Sequence, residues 1–155
     1  MVLLGEKVGL TRTVDPNAEP VPLDHVKRHL RIVGGQDDTY LSDVIIPAAR
    51  DAAESYCDRA FINQTWEETF DKFPPSEFTL WKPPLSSITS IKYLDADGVS
   101  QTLATTVYAS HKNREYGLGK VTLKYQQTWP TIRAIDEAVT ILYVAGYGAS
   151  YTSVP

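Results

Sequence analysis

An α+β fold, an N-terminal helical hairpin followed by a mainly antiparallel β-rich region, is what this chain predicts. Two observations carry that expectation. Between Pro22 and about residue 59, apolar residues recur at spacings of three and four, the period of a helix. Beyond Phe61 they fall into short β-branched and aromatic runs separated by Pro, Gly, Asn or Asp. A chain of 155 residues, 43% of them hydrophobic, can bury one real core, and its length suits one domain.

Residues 1–21 contain Gly5, Gly9, Pro16 and Pro20 with little periodicity, so they read as an extended arm ahead of a single domain spanning 22–155. The first helix is expected over about 22–33. Pro22 suits a first helical turn, Asp24 favours the positive end of the helix dipole, and Leu23, Val26 and Leu30 share a face. Gly34-Gly35 ends it. Asp37 or Asp38 then caps a second helix over about 38–59, with Leu41, Val44, Ile45, Ala48, Ala52 and Tyr56 as one apolar stripe. So short a connection predicts that the two helices pack as a hairpin. Pro47 removes a hydrogen bond inside the second helix, at about 3 kcal/mol for an ordinary interior position, and predicts a kink.

The β-rich region runs from about 63 to 146. Its strands are QTWEETF, EFTLW, SITSIKYL, KVTLKY and AVTILYVAGY, with a further strand restarting after Gly98. Val121, Leu123 and Tyr125 alternate with Thr122 and Lys124, the pattern of a strand with one wet face. Val139 to Ala145 is apolar on both faces except at Thr140, which predicts a central or covered strand.

Charge and composition exclude several classes. Fifteen Lys and Arg against nineteen Asp and Glu give a net charge of -4, with no basic surplus to neutralise a row of phosphates. One cysteine, Cys57, forms no internal disulfide, and with three histidines it supplies no zinc-finger set. MVLLGEKVGL is too short an apolar run for a signal peptide, and no run approaches the length of a membrane span. The expectation is a soluble cytoplasmic protein.

Each fragment of possible chemistry has a plainer reading. Asp95-Ala96-Asp97-Gly98 could open a calcium loop, but Val99 to Leu103 bring no acidic ligand and restart a strand, so Asp97-Gly98 reads as a two-residue hairpin turn. Gly117-Leu118-Gly119-Lys120 lacks the rest of a phosphate loop and leads into a strand. Among adjacent acids, Asp37-Asp38 reads as helix capping, and Glu67-Glu68 and Asp136-Glu137 as exposed positions. His25 and His29 share a helix face but lack a third metal ligand; with Lys27, Arg28 and Arg31 they read as a solvated basic face. Cys57 reads as a small packed residue. No catalytic residue, cofactor or metal site is expected, and no enzyme. Nine Tyr, three Trp and four Phe lean instead toward assembly through interfaces.

The order of segments carries a resemblance. PLDHVKRHLRI, QDDTYLSDVIIPAARDAAESYCDRAF, INQTWEETFDKFP, WKPPLSSITSIKYLDADGVSQTL, TWP and AVTILYVAGYG, in that order from about Pro22 to Pro155, resemble the head-tail connector (adaptor, or head-completion) proteins of tailed bacteriophages, found also in prophages and gene transfer agents. The resemblance implies a structural protein of the virion neck, assembled in the host cytoplasm. It implies a homo-oligomeric ring, usually of twelve copies, between the portal protein and a stopper or tail-terminator protein, with DNA passing through without sequence-specific binding and no membrane contact. It also implies a helical core with the β-rich region outside the ring. Many relatives continue with a further helix beyond the equivalent of YGASYTSVP, where this sequence stops.

A closed ring needs two different patches meeting head to tail. The net negative charge suits a DNA conduit, because a basic lining would hold the duplex, so a neutral or acidic lumen is expected. Partner-contact candidates are the parts expected outside regular structure: the arm before Pro22, His111, Asn113, Arg114 and Tyr116 in a polar loop, and Tyr147, Tyr151 and Val154 in the tail. Two other readings stay open. One is another neck component, such as a stopper or tail-completion protein; the helical hairpin favours the adaptor over it. The other is a ligand-binding β domain whose Trp66, Trp81 and Trp129 would have to line one exposed groove.

Overall fold

A computed structural model describes residues 7–112 and 117–155. The mixed α+β class holds, with the helical segments ahead of most of the strands. Helix α1 spans Leu23–Leu30 with Pro22 at its N-cap. It stops earlier than expected, and not at the glycines: Arg31 adopts the left-handed conformation (φ 57°). The N–H groups of Arg31 and Ile32 then return to the carbonyls of Arg28 and Lys27, the paired closure of a Schellman motif.

The second helical segment is continuous but not uniform. Helix α2 (Asp38–Tyr40) leads through a π-helical turn, Leu41–Ile45, into α3 (Ile46–Cys57), which has Pro47 in its first turn. Where a kink was expected at Pro47, the helix has a π turn immediately before the proline, a wider turn closed by Ile46 N–H donating to the Leu41 carbonyl. Asp37 stands at the N-cap of α2 but makes no side-chain cap hydrogen bond; Asp38 accepts from Lys27 Nζ at 2.5 Å instead.

The expected hairpin of two close-packed helices is not supported, since α1 buries none of its residues. On α3 the apolar stripe also faces the wrong way for core packing. Apart from Leu41, its members Val44, Ile45, Ala48, Ala52 and Tyr56 are all exposed, Tyr56 at 93%. The buried row is instead Ile46, Arg50 and Glu54, spaced by four.

Among the described residues, eight strands form two antiparallel sheets. The larger has the order β1-β2-β8-β4-β5 and the smaller β3-β7-β6. They comprise β1 (Lys7–Val14), β2 (Gln64–Phe70), β3 (Glu77–Leu80), β4 (Leu85–Leu94), β5 (Ser100–Thr102), β6 (Tyr108–Lys112), β7 (Gly119–Leu123) and β8 (Val139–Ala145). All five strands read from the sequence are present, and β8 is central, as its two apolar faces require. Lys7–Val14, expected as an unpacked arm, is instead the edge strand of the large sheet, paired along β2. His111, expected in a loop, lies in β6.

One core draws on both sheets. Val139, Ile141, Tyr143 and Ala145 line one face of β8 with no measurable exposure, and Phe78, Leu80 and Val121 pack on them from the small sheet. Close approach sets one glycine: a Cβ at Gly119 would stand 2.6 Å from Leu85, so the start of β7 has room only for hydrogen. Glu68, expected to be exposed, is fully buried, because its neighbours supply donors: Tyr143 Oη at 2.6 Å and Trp81 N–H at 2.7 Å. Burial, and then the Glu68 carboxylate, push the Tyr143 hydroxyl far above the ordinary tyrosine range.

Candidate functional site

The turn that opens β5 draws its first acid into its own hydrogen bonds. Asp95 and Val99 pair through Asp95 N–H to the Val99 carbonyl at 3.0 Å, and only Gly98 has positive φ, at 84°. The loop is therefore a three-residue type with a glycine bulge, not the two-residue turn expected. Asp95 accepts from the N–H groups of Asp97 and Val99 and from Gln101 Nε2. These bonds, led by that from Gln101, hold its carboxyl below the usual range, so its oxygens are engaged by the turn itself.

The tryptophans do not form a stacking platform. Trp129 stacks on Phe73 at 4.8 Å and Trp66 packs against the core, while Trp81 is about half exposed, so they do not line one groove. That counts against the ligand-binding β domain. Cys57, expected to be packed, is exposed at the end of α3, on its outward side. His25 and His29 form no metal cluster: His25 meets the Tyr151 ring edge-on at 6.0 Å, and Arg28 pairs with Asp24 on the same exposed face.

What the structure does assemble is a surface at the helical end. Polar contacts fasten α3 to the large sheet. Glu54 accepts from Phe61 N–H at 2.6 Å and from Gln64 Nε2 at 2.9 Å; Arg12 of β1 donates to Asp51 at 2.9 Å and to Gln64 Oε1 at 3.3 Å. The bond from Arg12 lowers the Asp51 carboxyl and raises the Arg12 guanidinium. Arg50 donates to Glu19 at 3.0 Å. Burial raises the Glu19 carboxyl, with Arg50 opposing that rise. With its polar row occupied inside, α3 turns two apolar rows away from the sheet: Ile45, Ala49 and Ala53, and beside them Val44, Ala48, Ala52 and Tyr56.

The row of Ile45, Ala49 and Ala53 borders an apolar groove of about 540 Å³, closed on its other sides by Val26 of α1 and by the C-terminal tail. Three residues expected to contact partners meet here. Tyr147 accepts from Arg59 through its hydroxyl, Tyr151 lies in the short 3-10 turn Tyr151–Ser153, and Val154 completes the wall. His111 is elsewhere, exposed on β6 and 2.9 Å from Thr122 Oγ1. Asn113, Arg114 and Tyr116 lie outside the described residues.

Sequence reasoning missed Val26, Ile45 and Ala49 as surface residues because a helix's apolar stripe normally faces its core. The partners that reverse the rule, Glu19, Arg12 and Gln64, lie 10 to 52 positions away from theirs, with no local signal in the chain.

The helical end thus keeps its polar helix row inside and presents apolar rows and a groove outside. Residues 21–91, which hold helices α1, α2 and α3, match the family model described as Phage gp6-like head-tail connector protein. The fold is shared with three chains of solved particles. In the neck of an empty GTA particle computed with C6 symmetry the TM-score is 0.78 at 21% identity, covering 96% of this chain and 76% of that one. For the virion of a native gene transfer agent (GTA) particle the values are 0.74, 22%, 96% and 76%. For the neck of a native GTA particle computed with C12 symmetry they are 0.73, 21%, 96% and 75%. No curated protein matches the chain.

Proposed function

We propose that the protein is a structural component of a virion-type neck, a ring-forming adaptor between the portal and the stopper or tail. It performs no catalysis; it assembles in the host cytoplasm and leaves with the particle. Twelve copies surround the DNA path, as the shared fold with a chain in a C12-symmetric neck suggests. The observation that carries the reading is that the connector-family segment, 21–91, contains the helix whose apolar rows face outward. A monomer gains nothing from exposing Tyr56, Val44 and Ile45, whereas a ring buries them. In the ring, α1 and α3 act as the two helices of a hairpin whose intervening groove is filled by a neighbour. The lumen is lined by neutral or acidic side chains, in keeping with the net charge of -4.

Incubating the protein with portal particles and imaging the vertex by electron cryomicroscopy tests the reading. A ring of density beneath the portal, with α3 at its subunit boundaries, is expected. A protein that remains monomeric and never joins portal particles refutes it, and a continuous Lys and Arg lining in the assembled ring refutes the lumen statement.

A further inference from the structure

A separate cleft, of about 420 Å³, lies where the small sheet's edge strand β6 faces β4 of the large sheet. It shares no residue with the groove beside α3, and no side chain lining it among the described residues carries a carboxylate. From β6 come Tyr108, Ser110 and Lys112, alternate residues and therefore on one face of the strand. From β4 come Ser86 and Ser87. Consecutive strand residues normally point apart, but the register of β4 against β8 slips between Leu85 and Ser87, and this bulge brings both serines into one wall. Lys124 completes the lining; its Nζ donates to the Thr105 carbonyl at 2.9 Å, which steadies the ammonium and leaves it N–H bonds to spare.

Tyr108 separates this cleft from an ordinary wet surface. The residue is 7% exposed and belongs to the core, yet it lines the cleft, and its hydroxyl makes no hydrogen bond among the described residues. The indole N–H groups of Trp66 and Trp129 also lack partners, but they are sealed from solvent; the Tyr108 hydroxyl is not. Burial raises it above the ordinary tyrosine range, so at neutral pH it keeps its proton and can donate. Lys112 likewise makes no ion pair or hydrogen bond among the described residues. Two ammonium groups, a nearly buried phenol and three serine hydroxyls, with no acid to compete, match a ligand that is negative and rich in acceptors. A neutral polyol fits less well, because no carboxylate or amide side chain stands in the wall to accept from it.

We propose that this cleft binds the phosphate group of a small phosphorylated molecule. Lys112 and Lys124 supply the charge, and Tyr108, Ser110, Ser86 and Ser87 donate to the phosphate oxygens. The volume is that of a small-molecule site and exceeds a bare ion, so the phosphate is one end of the ligand and the rest lies along Ile88 and Ala109. No strand pairing joins β4 to β6, so a ligand held from both staples the small sheet to the large one. The proposal stands apart from the ring-forming reading, since it needs no neighbouring copy.

Amide NMR spectra of the full chain, titrated with inorganic phosphate, adenosine monophosphate or a short DNA duplex, test this against potassium chloride at matched ionic strength. Saturable shifts confined to residues 86–88 and 108–112 are expected, at lower concentration for adenosine monophosphate than for phosphate, with a higher melting temperature when the site is filled. Tyr108→Phe removes no hydrogen bond within the chain, so it is expected to leave the melting temperature of the free protein unchanged and to weaken binding by at least about tenfold. Lys112→Gln, at an exposed position, is expected to weaken it comparably. Shifts that follow ionic strength alone, or that spread over lysines outside the cleft, overturn the proposal. So does a Tyr108→Phe or Lys112→Gln protein that binds as wild type does. Binding of the duplex without binding of either small phosphate also overturns it, because it assigns the cleft to a polymer backbone.

Discussion

Replacing Glu54 gives the most direct reading of how α3 is held with its apolar rows outward. Glu54 is 5% exposed and accepts from Phe61 N–H at 2.6 Å and from Gln64 Nε2 at 2.9 and 3.0 Å through its two oxygens. Gln64 is 2% exposed, so Glu54→Ala leaves its amide, and the Phe61 N–H, with no acceptor in place. Each orphaned donor costs about 1–3 kcal/mol, and partial relaxation brings the expected loss to about 2–4 kcal/mol. Glu54→Gln keeps the shape and one acceptor and is expected to cost about half as much. In a chain of this size 1 kcal/mol moves the midpoint by about 2–4 °C, so the alanine variant is expected to melt about 4–16 °C below wild type. Urea titrations followed by far-ultraviolet circular dichroism, with Ser55→Ala as an exposed control, measure the order. A Glu54→Ala loss within about 0.5 kcal/mol, the level of an ordinary surface change, refutes the claim that this carboxylate fastens the helix to the sheet.

Other expectations follow from the same contacts. Tyr143→Phe removes the donor to Glu68 and the acceptor of Lys82 N–H and is expected to cost about 1–3 kcal/mol by chemical denaturation. In the wild type, ultraviolet titration is expected to find Tyr143 silent at alkaline pH until the chain unfolds, since burial and Glu68 both raise it. Asp51 is held below its ordinary 3.8, chiefly by its bond from Arg12. Its stabilisation is therefore full above that value and lost as pH falls through the lower folded one, and Asp51→Asn is expected to flatten that acid limb of the stability curve. Gly98→Ala forces a left-handed alanine at the β4–β5 loop and sets its Cβ 2.3 Å from Arg133 Nη1, a movable group, so a loss of about 1–2 kcal/mol is expected from the backbone alone. Tyr56→Lys, at a site 93% exposed, is expected to leave stability within about 0.5 kcal/mol while abolishing assembly; rings that form normally refute a role for this face.

The strands were legible because their signals are local. Val139 to Ala145 is apolar on both faces and occupies the centre of the sheet, and the five runs bounded by Pro, Gly, Asn or Asp became strands. Lys7–Val14 was not legible: its partner β2 lies some fifty residues away, and glycines at 5 and 9 mask a strand that pairing alone defines. The helical surface was half legible for a related reason. Tyr147, Tyr151 and Val154, singled out by their place in the tail, line the groove, but the rows of α3 that border it were assigned to the core, since periodicity gives a stripe and not its direction.

Two features set that direction. The π turn at Leu41–Ile45 inserts extra helical circumference ahead of Pro47, so Leu41 stays buried while Val44 and Ile45 turn out. Arg50 and Glu54 find buried partners on Glu19, Gln64 and Phe61, which makes the polar row the inward one. A helix held by hydrogen bonds on one side and left apolar on the other can be stable alone and still have a face to offer, which the proposed ring assembly would use.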